Sequence, residues 1–226
     1  MCAPASLVVT KDKVFWSAKS DSHEEIIREF GLCDEVANRI TLVRVEITPP
    51  NGDMSRPLDE WQYRVDEANP SYLPEWFVKN ESKHEGRAKD ALKKWFECKV
   101  VVSGHRDVRD QEVYAYDNST VTAYGTSTVA AYDNSTVAAY DNSTVTACNN
   151  STVTAYDNST VAACDNSTVA ACDNSTVAAY DNSTVAAYGT STVIAHGYKE
   201  VKLESGLAVL VDRSKYGKVS TKKARE

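Results

Sequence analysis

The side chains best equipped for chemistry in this 226-residue chain are six cysteines, four histidines and a series of evenly spaced Asp. Their spacing bounds what they can do. Cys2, Cys33, Cys98, Cys148, Cys164 and Cys172 show neither CxxC nor Cys/His ligand spacing, so a zinc site has no support and reduced thiols are expected. His23, His84, His105 and His196 are scattered, and the first two sit inside polar helix-start motifs, which predicts solvated positions. No nucleophile pairs with a base, no two carboxylates stand out, and no phosphate-cradling loop occurs, so the expectation is a non-enzyme with no catalytic residue, metal or cofactor. Asp117, Asp133, Asp141, Asp157, Asp165, Asp173 and Asp181 come one per repeat, short of the dense oxygen cage that Ca²⁺ prefers. The Asn-Ser-Thr that follows every one of them matches a glycosylation acceptor, and turn chemistry explains it more cheaply.

The framework carrying these residues is an octad. Val recurs at 121, 129, 137, 145, 153, 161, 169, 177, 185 and 193 without a slip, each unit reading Tyr/Cys, Asp/Gly/Asn, Asn/Thr, Ser, Thr, Val, Ala/Thr/Ile, Ala. Eight residues keep no constant face on a helix, whereas Thr, Val and Tyr favour extended chain. In Ser119 to Tyr124 the pleat puts Ser119, Val121 and Ala123 on one side and Thr120, Thr122 and Tyr124 on the other. The small, apolar set is the inside. Asp-Asn or Gly-Thr then turns the chain.

Two octads make the smallest closed coil, so residues 16 apart stack as parallel in-register ladders about 4.8 Å apart. Ten Val positions give five coils, about 24 Å of solenoid. A three-sided coil of 24 residues is the alternative. The 16-residue register places Gly125 and Gly189 at the ends of one column with Asp141, Asp157 and Asp173 between them, as capped repeats do. It also makes Cys148 and Cys164 neighbours, within reach of a disulfide or a shared metal.

The candidate binding surface is the outward ladder of Thr120, Thr122, Tyr124, Tyr132, Thr136, Tyr140, Thr144, Tyr156, Thr160, Tyr180 and Tyr188. Such a repetitive hydrogen-bonding surface suits self-association or docking of a protein partner. Two other readings stand beside it. Thr rows could organise water or ice, and Asp columns could mimic the charge spacing of a duplex.

Residues 1–104 read as an α+β head. Ser6 to Ser17 alternates around Lys-Asp-Lys as a hairpin with Val8, Val14 and Trp16 inward. Ser22-His-Glu-Glu25 is a capping box opening a helix with Ile26, Ile27 and Phe30 on its apolar face, ended by Gly31. Ile40 to Thr48 alternates as a half-buried strand that Pro49-Pro50-Asn51-Gly52 closes, and Trp61, Tyr63 and Val65 alternate again. A second box, Ser82-Lys-His-Glu85, opens a helix carrying Ala88, Leu92 and Trp95, and Lys99 to Ser103 returns as a strand. Trp61, Tyr63, Trp76, Phe77 and Trp95 are expected in the core. Residues 105–115 connect to the solenoid at 116–196, and 197–226 supply cap strands, over Val201 to Val211, and a basic tail.

Every Lys and Arg lies outside 115–196; elsewhere acidic and basic residues balance, so the net charge of −7 equals the repeat's seven Asp. That balance argues against wholesale nucleic-acid binding. Met1 to Ala5 has no basic region followed by an apolar one, and no run is long enough to cross a bilayer, so no membrane partner and a cytoplasmic location are expected.

The run from Val113 to Val129, with stretches such as Pro57-Leu-Asp-Glu-Trp61 and Pro74-Glu-Trp76, resembles octad-repeat β-solenoid proteins of bacteria and their phages, most of them uncharacterised. The resemblance implies a small α+β N-terminal domain followed by a parallel β-solenoid, and no established activity. A looser likeness links Ala123 to Ala130 with the repeats of bacterial ice-nucleation proteins, which use 16-residue coils and Thr-x-Thr rows. Here that pair occurs only at Thr120/Thr122, Thr144/Thr146 and Thr152/Thr154.

Overall fold

A computed structural model describes residues 5–36, 39–67, 69–196, 200–205, 207–215 and 218–223. Met1–Lys99 and Val100–Glu226 form two compact units.

The first unit is a small α+β head. Its strands are β1 (Ser6–Thr10), β2 (Val14–Phe15), β5 (Leu42–Thr48) and β6 (Gln62–Val65) in one sheet, with β3 (Glu35–Val36) and β4 (Arg39–Ile40) forming a separate pair. The order is β2-β1-β5-β6, antiparallel throughout. The helices are α1 (His23–Glu29), α2 (Glu75–Val78) and α3 (Glu81–Lys99). Leu7, Val8, Val9, Val45, Ile47, Phe77, Leu92 and Trp95 are buried. The predicted hairpin forms, but β1 is its buried strand, whereas Val14 and Trp16 are half-buried. β5 departs from the expected alternation because it is central: β1 and β6 flank it, and Glu46 is buried along with Val45 and Ile47.

Neither capping box works as anticipated. Ser22 does cap α1 in extended backbone (φ −101°, ψ 126°), yet its side chain makes no capping hydrogen bond, its own N–H donating instead to Ser20 Oγ at 3.1 Å. Ser82 is already inside α3, which starts at Glu81. Of the apolar face on α1, Ile26 is buried, Ile27 is half-buried and Phe30 is exposed. Gly31 does follow the helix, at φ +60°, where a Cβ is disfavoured.

The second unit is a parallel β-solenoid with a 16-residue coil. Val121 pairs with Val137, Val137 with Val153 and Val153 with Val169 in one sheet, while Val129, Val145 and Val161 pair likewise in the other. Two octads therefore close each turn. Every octad's Ser, Val and final Ala is buried, forming one continuous thin core. The corners turn because the residue after Tyr or Cys takes a left-handed backbone: φ lies between 52° and 59° at Asp117, Asp133, Asp141, Asn149, Asp157, Asp165, Asp173 and Asp181. Asp and Asn tolerate that region best among residues with a side chain. Gly125 and Gly189 hold the same place at φ +67° and +58°.

The ladders outrun the octads at both ends. β7 (Val100–Val101), read from sequence as the head's last strand, pairs in parallel with β9 (Glu112–Ala115) in a nine-stranded solenoid sheet. β8 (His105–Arg109) begins the other, seven-stranded sheet, so the expected connector is itself a coil and the solenoid begins at Val100. In this coil Arg106 stands in the Val position opposite Val121. After the last octad, Glu200–Leu203 and Val209–Lys215 extend the two sheets in parallel, in place of lying across an edge, and Lys218–Lys223 then pairs antiparallel with the latter. The five octad coils thus lie inside two longer sheets, of seven and nine strands.

Candidate functional site

The eleven outward residues singled out from sequence do not share one face. Thr120 and Thr136 belong to a row continued by Thr152, Thr168 and Thr184 on the seven-stranded sheet. Thr144 and Thr160 belong to the opposite row with Thr128, Thr176 and Thr192. Thr122 pairs with Ala138, so the second hydroxyl of its Thr-x-Thr pair has no Thr on the next coil; Thr146 pairs with Ala130 and Ala162, and Thr154 with Ala138 and Ala170. The hydroxyl surface is single rows on two faces.

The tyrosines fall at the ends of strands, beside the two corners. One column stacks Tyr124 on Tyr140 at 5.3 Å between ring centroids and Tyr140 on Tyr156 at 4.7 Å, with Cys172 and Tyr188 following at the same spacing in sequence. The other stacks Tyr116 on Tyr132 at 5.0 Å and Tyr180 on His196 at 4.6 Å, with Cys148 and Cys164 between. Planes are within 8–15° of parallel, because in-register coils hold each ring directly over the last. Arg109 adds a guanidinium 5.2 Å from the Tyr124 ring. Burial pushes the Tyr156 hydroxyl up in pKa, with Tyr140, Cys172 and Asp173 adding to it.

The corner Asp residues are engaged in structure. Asp141 Oδ2 accepts the N–H of Gly125 at 2.8 Å, Asp157 Oδ2 that of Asp141 at 3.2 Å, and Asp165 Oδ2 that of Asn149 at 3.3 Å. Each carboxylate thereby ties its coil to the preceding one, which explains its place in the repeat without a bound cation.

Cys148 and Cys164 form a disulfide with Cα atoms 4.9 Å apart, correcting the expectation that all six cysteines are reduced. In-register stacking is the cause, since neighbouring coils bring identical positions to disulfide range. The bond occupies both sulfurs of the shared-metal alternative. Cys172, in the other column, has its thiol pushed up in pKa by burial and then by Asp173.

Two histidines read as solvated are buried. His84 stacks on Phe77 at 5.3 Å and stands edge-on to Trp76 at 5.2 Å. Burial lowers its pKa, with Arg87 as the next cause. His23 places Nε2 3.0 Å from the Val45 carbonyl and Nδ1 3.6 Å from Asp66 Oδ2. Both sit on helices whose polar starts hid a tertiary role; no local pattern reveals it. The head aromatics are core as expected for Trp61, Phe77 and Trp95, while Tyr63 is half-buried.

At the start of the solenoid, His105 Nε2 lies 2.8 Å from Asp107 Oδ1 and 3.4 Å from Thr122 Oγ1. Both contacts fall on the same ring nitrogen, with His105 and Asp107 exposed and Thr122 half-buried, so no proton relay runs from Thr through His to Asp. Fold and surface together define a two-sided parallel β-solenoid with an α+β head. No protein family, curated protein or solved structure matches the chain.

Proposed function

We propose that this chain is a non-enzymatic structural or interaction protein whose solenoid offers repeated Tyr and Thr columns for self-assembly or for docking a protein partner. The observation that carries the reading is the stacking of identical rings at 4.7–5.3 Å beside unbroken outward Thr rows. Every inward side chain is consumed in the core, whereas the outward ones repeat a single pattern that a second repetitive surface can match along its length. Aromatic rings held rigid lose little entropy on contact.

The other readings have weaker support. A water-ordering face needs contiguous Thr-x-Thr rows, and Ala interrupts them here. A duplex mimic needs exposed charge on one surface, and the Asp lie in two corner columns with several bonded to backbone. Among the described residues no helix is long and apolar enough to cross a membrane.

Sedimentation velocity over a concentration series, with electron microscopy of the same samples, tests the proposal. Reversible assembly that weakens in Tyr140→Ser/Tyr156→Ser is expected. A chain that stays monomeric at high concentration and captures no partner defeats it, and thermal hysteresis or competition with duplex for a DNA-binding enzyme would transfer support to one of the alternatives.

A further inference from the structure

The head holds a cluster that the solenoid reading does not use. His23 opens α1, Glu46 lies in β5 and Asp66 follows β6, so three separate elements converge on one point. His23 is 3% exposed and Glu46 4%, an unusual depth for two ionisable groups. A carbonyl only accepts, so His23 Nε2 carries the proton that it donates to Val45 O at 3.0 Å. In the neutral ring Nδ1 is then the lone-pair nitrogen. It faces Asp66 Oδ2 at 3.6 Å, too long for a hydrogen bond. One ring nitrogen of His23 and one oxygen from each carboxylate all lie within 4.8 Å of one another. Arg64, directly across the strand pair from Glu46, bonds its carboxylate and lies 4.0 Å from Asp66.

We propose that His23 Nδ1, Glu46 and Asp66 form a binding site for a divalent transition metal of the zinc class, and that Arg64 bridges the two carboxylates when no metal is bound. One imidazole with two carboxylates is a donor set that Zn²⁺ accepts, with water completing the shell. The Nε2–H to Val45 carbonyl bond is the outer contact that fixes tautomer and ring orientation in a ligating histidine. The buried Glu46 and the exposed Asp66 carboxylates together balance the metal's double charge. Ligand atoms around a zinc ion stand roughly 3–3.5 Å apart, given metal–ligand bonds of about 2.0–2.2 Å. Closing the site from spacings of up to 4.8 Å takes side-chain movement, and Asp66, with its side chain 41% exposed, has room for it. Arg64 is 67% exposed, so its guanidinium can leave Glu46 for water as the metal enters.

The test is titration of the full chain, purified without reductant so that the Cys148–Cys164 bond stays closed, with Zn²⁺ by calorimetry and with Co²⁺ by absorption. One equivalent per chain is expected, with ligand-field bands but no near-ultraviolet thiolate charge-transfer band. Asp66→Asn should weaken binding at least tenfold, on the scale of a lost ligand or orienting contact. Arg64→Gln should strengthen it several-fold, because it removes the competing cation. That increase separates a metal site from a structural ion cluster, in which loss of Arg64 helps nothing. Absence of saturable binding, binding unchanged in Asp66→Asn, or weaker binding in Arg64→Gln would each overturn the proposal, as would a thiolate band at the first equivalent. A head that unfolds in Asp66→Asn leaves the Arg64→Gln arm to decide.

Discussion

Serines at the same inward octad position should respond to the same substitution with opposite signs. All ten inward serines are buried, but they divide into two groups. Ser127, Ser159 and Ser183 donate Oγ–H to the carbonyls of Tyr124, Tyr156 and Tyr180 at 2.7 Å. Ser119, Ser135, Ser143, Ser151, Ser167, Ser175 and Ser191 have hydroxyls with no hydrogen-bond partner. A buried unpaired hydroxyl costs about 1–3 kcal/mol, and Ala removes it while keeping nearly the same volume, so Ser151→Ala should stabilise by about 1 kcal/mol. Ser159→Ala loses a made bond instead. The Tyr156 carbonyl still accepts the Ser159 N–H at 3.1 Å, so no acceptor is orphaned and the loss is held to about 1 kcal/mol. In a chain of this size each kcal/mol moves the melting midpoint by about 2–4 °C, so the two variants should separate by about 4–8 °C. Stacked coils can unfold in segments, so hydrogen exchange at the flanking Val amides should accompany the melting curve. Equal shifts in the same direction for Ser151→Ala and Ser159→Ala would refute the division.

Three further outcomes follow from local geometry. Gly189→Ala should destabilise by more than about 1 kcal/mol in urea, since its φ is +58° and a Cβ would lie 2.8 Å from the Asp173 backbone nitrogen, which cannot swing aside. Cys172 should react with iodoacetamide more slowly than a model thiol at pH 8, because a raised pKa leaves less thiolate; an equal or faster rate refutes this. His84 has its pKa lowered from 6.5, so the unfolded chain binds more protons than the folded one below that pH. Stability of the head should be fully present above about pH 6.5 and decline as pH falls toward the folded value, and His84→Gln should flatten that slope in thermal melts between pH 8 and 5.

Much of the solenoid is legible residue by residue. Ser119, Val121 and Ala123 are inward by the two-residue pleat alone, and Gly125 with Gly189 betrays the 16-residue coil because both occupy the turn position of one column. The candidate surface was legible as a set but not as a layout. Nothing in the octad tells that Thr120 and Thr144 lie on opposite sheets until two octads close a turn. The head was legible as elements, such as the α3 face of Ala88, Leu92 and Trp95, and illegible in its polar interior. His23, Glu46 and Asp66 are far apart in sequence, and each fits a bland local role: helix start, alternating strand, strand end.

By itself the octad determined the inward and outward directions, the Asp-Asn corner and the in-register stack, since these follow from backbone geometry repeated every eight residues. Tertiary structure decided three things that no period encodes. It carried the ladders back to Val100 and on to Lys223, because the free backbone groups of an open strand edge pair with an extended neighbour whether or not it bears the motif. It closed the Cys148–Cys164 bond through coil stacking. And it buried His23 beside Glu46 and Asp66, because long-range packing of helix on sheet, not spacing along the chain, brings those groups together.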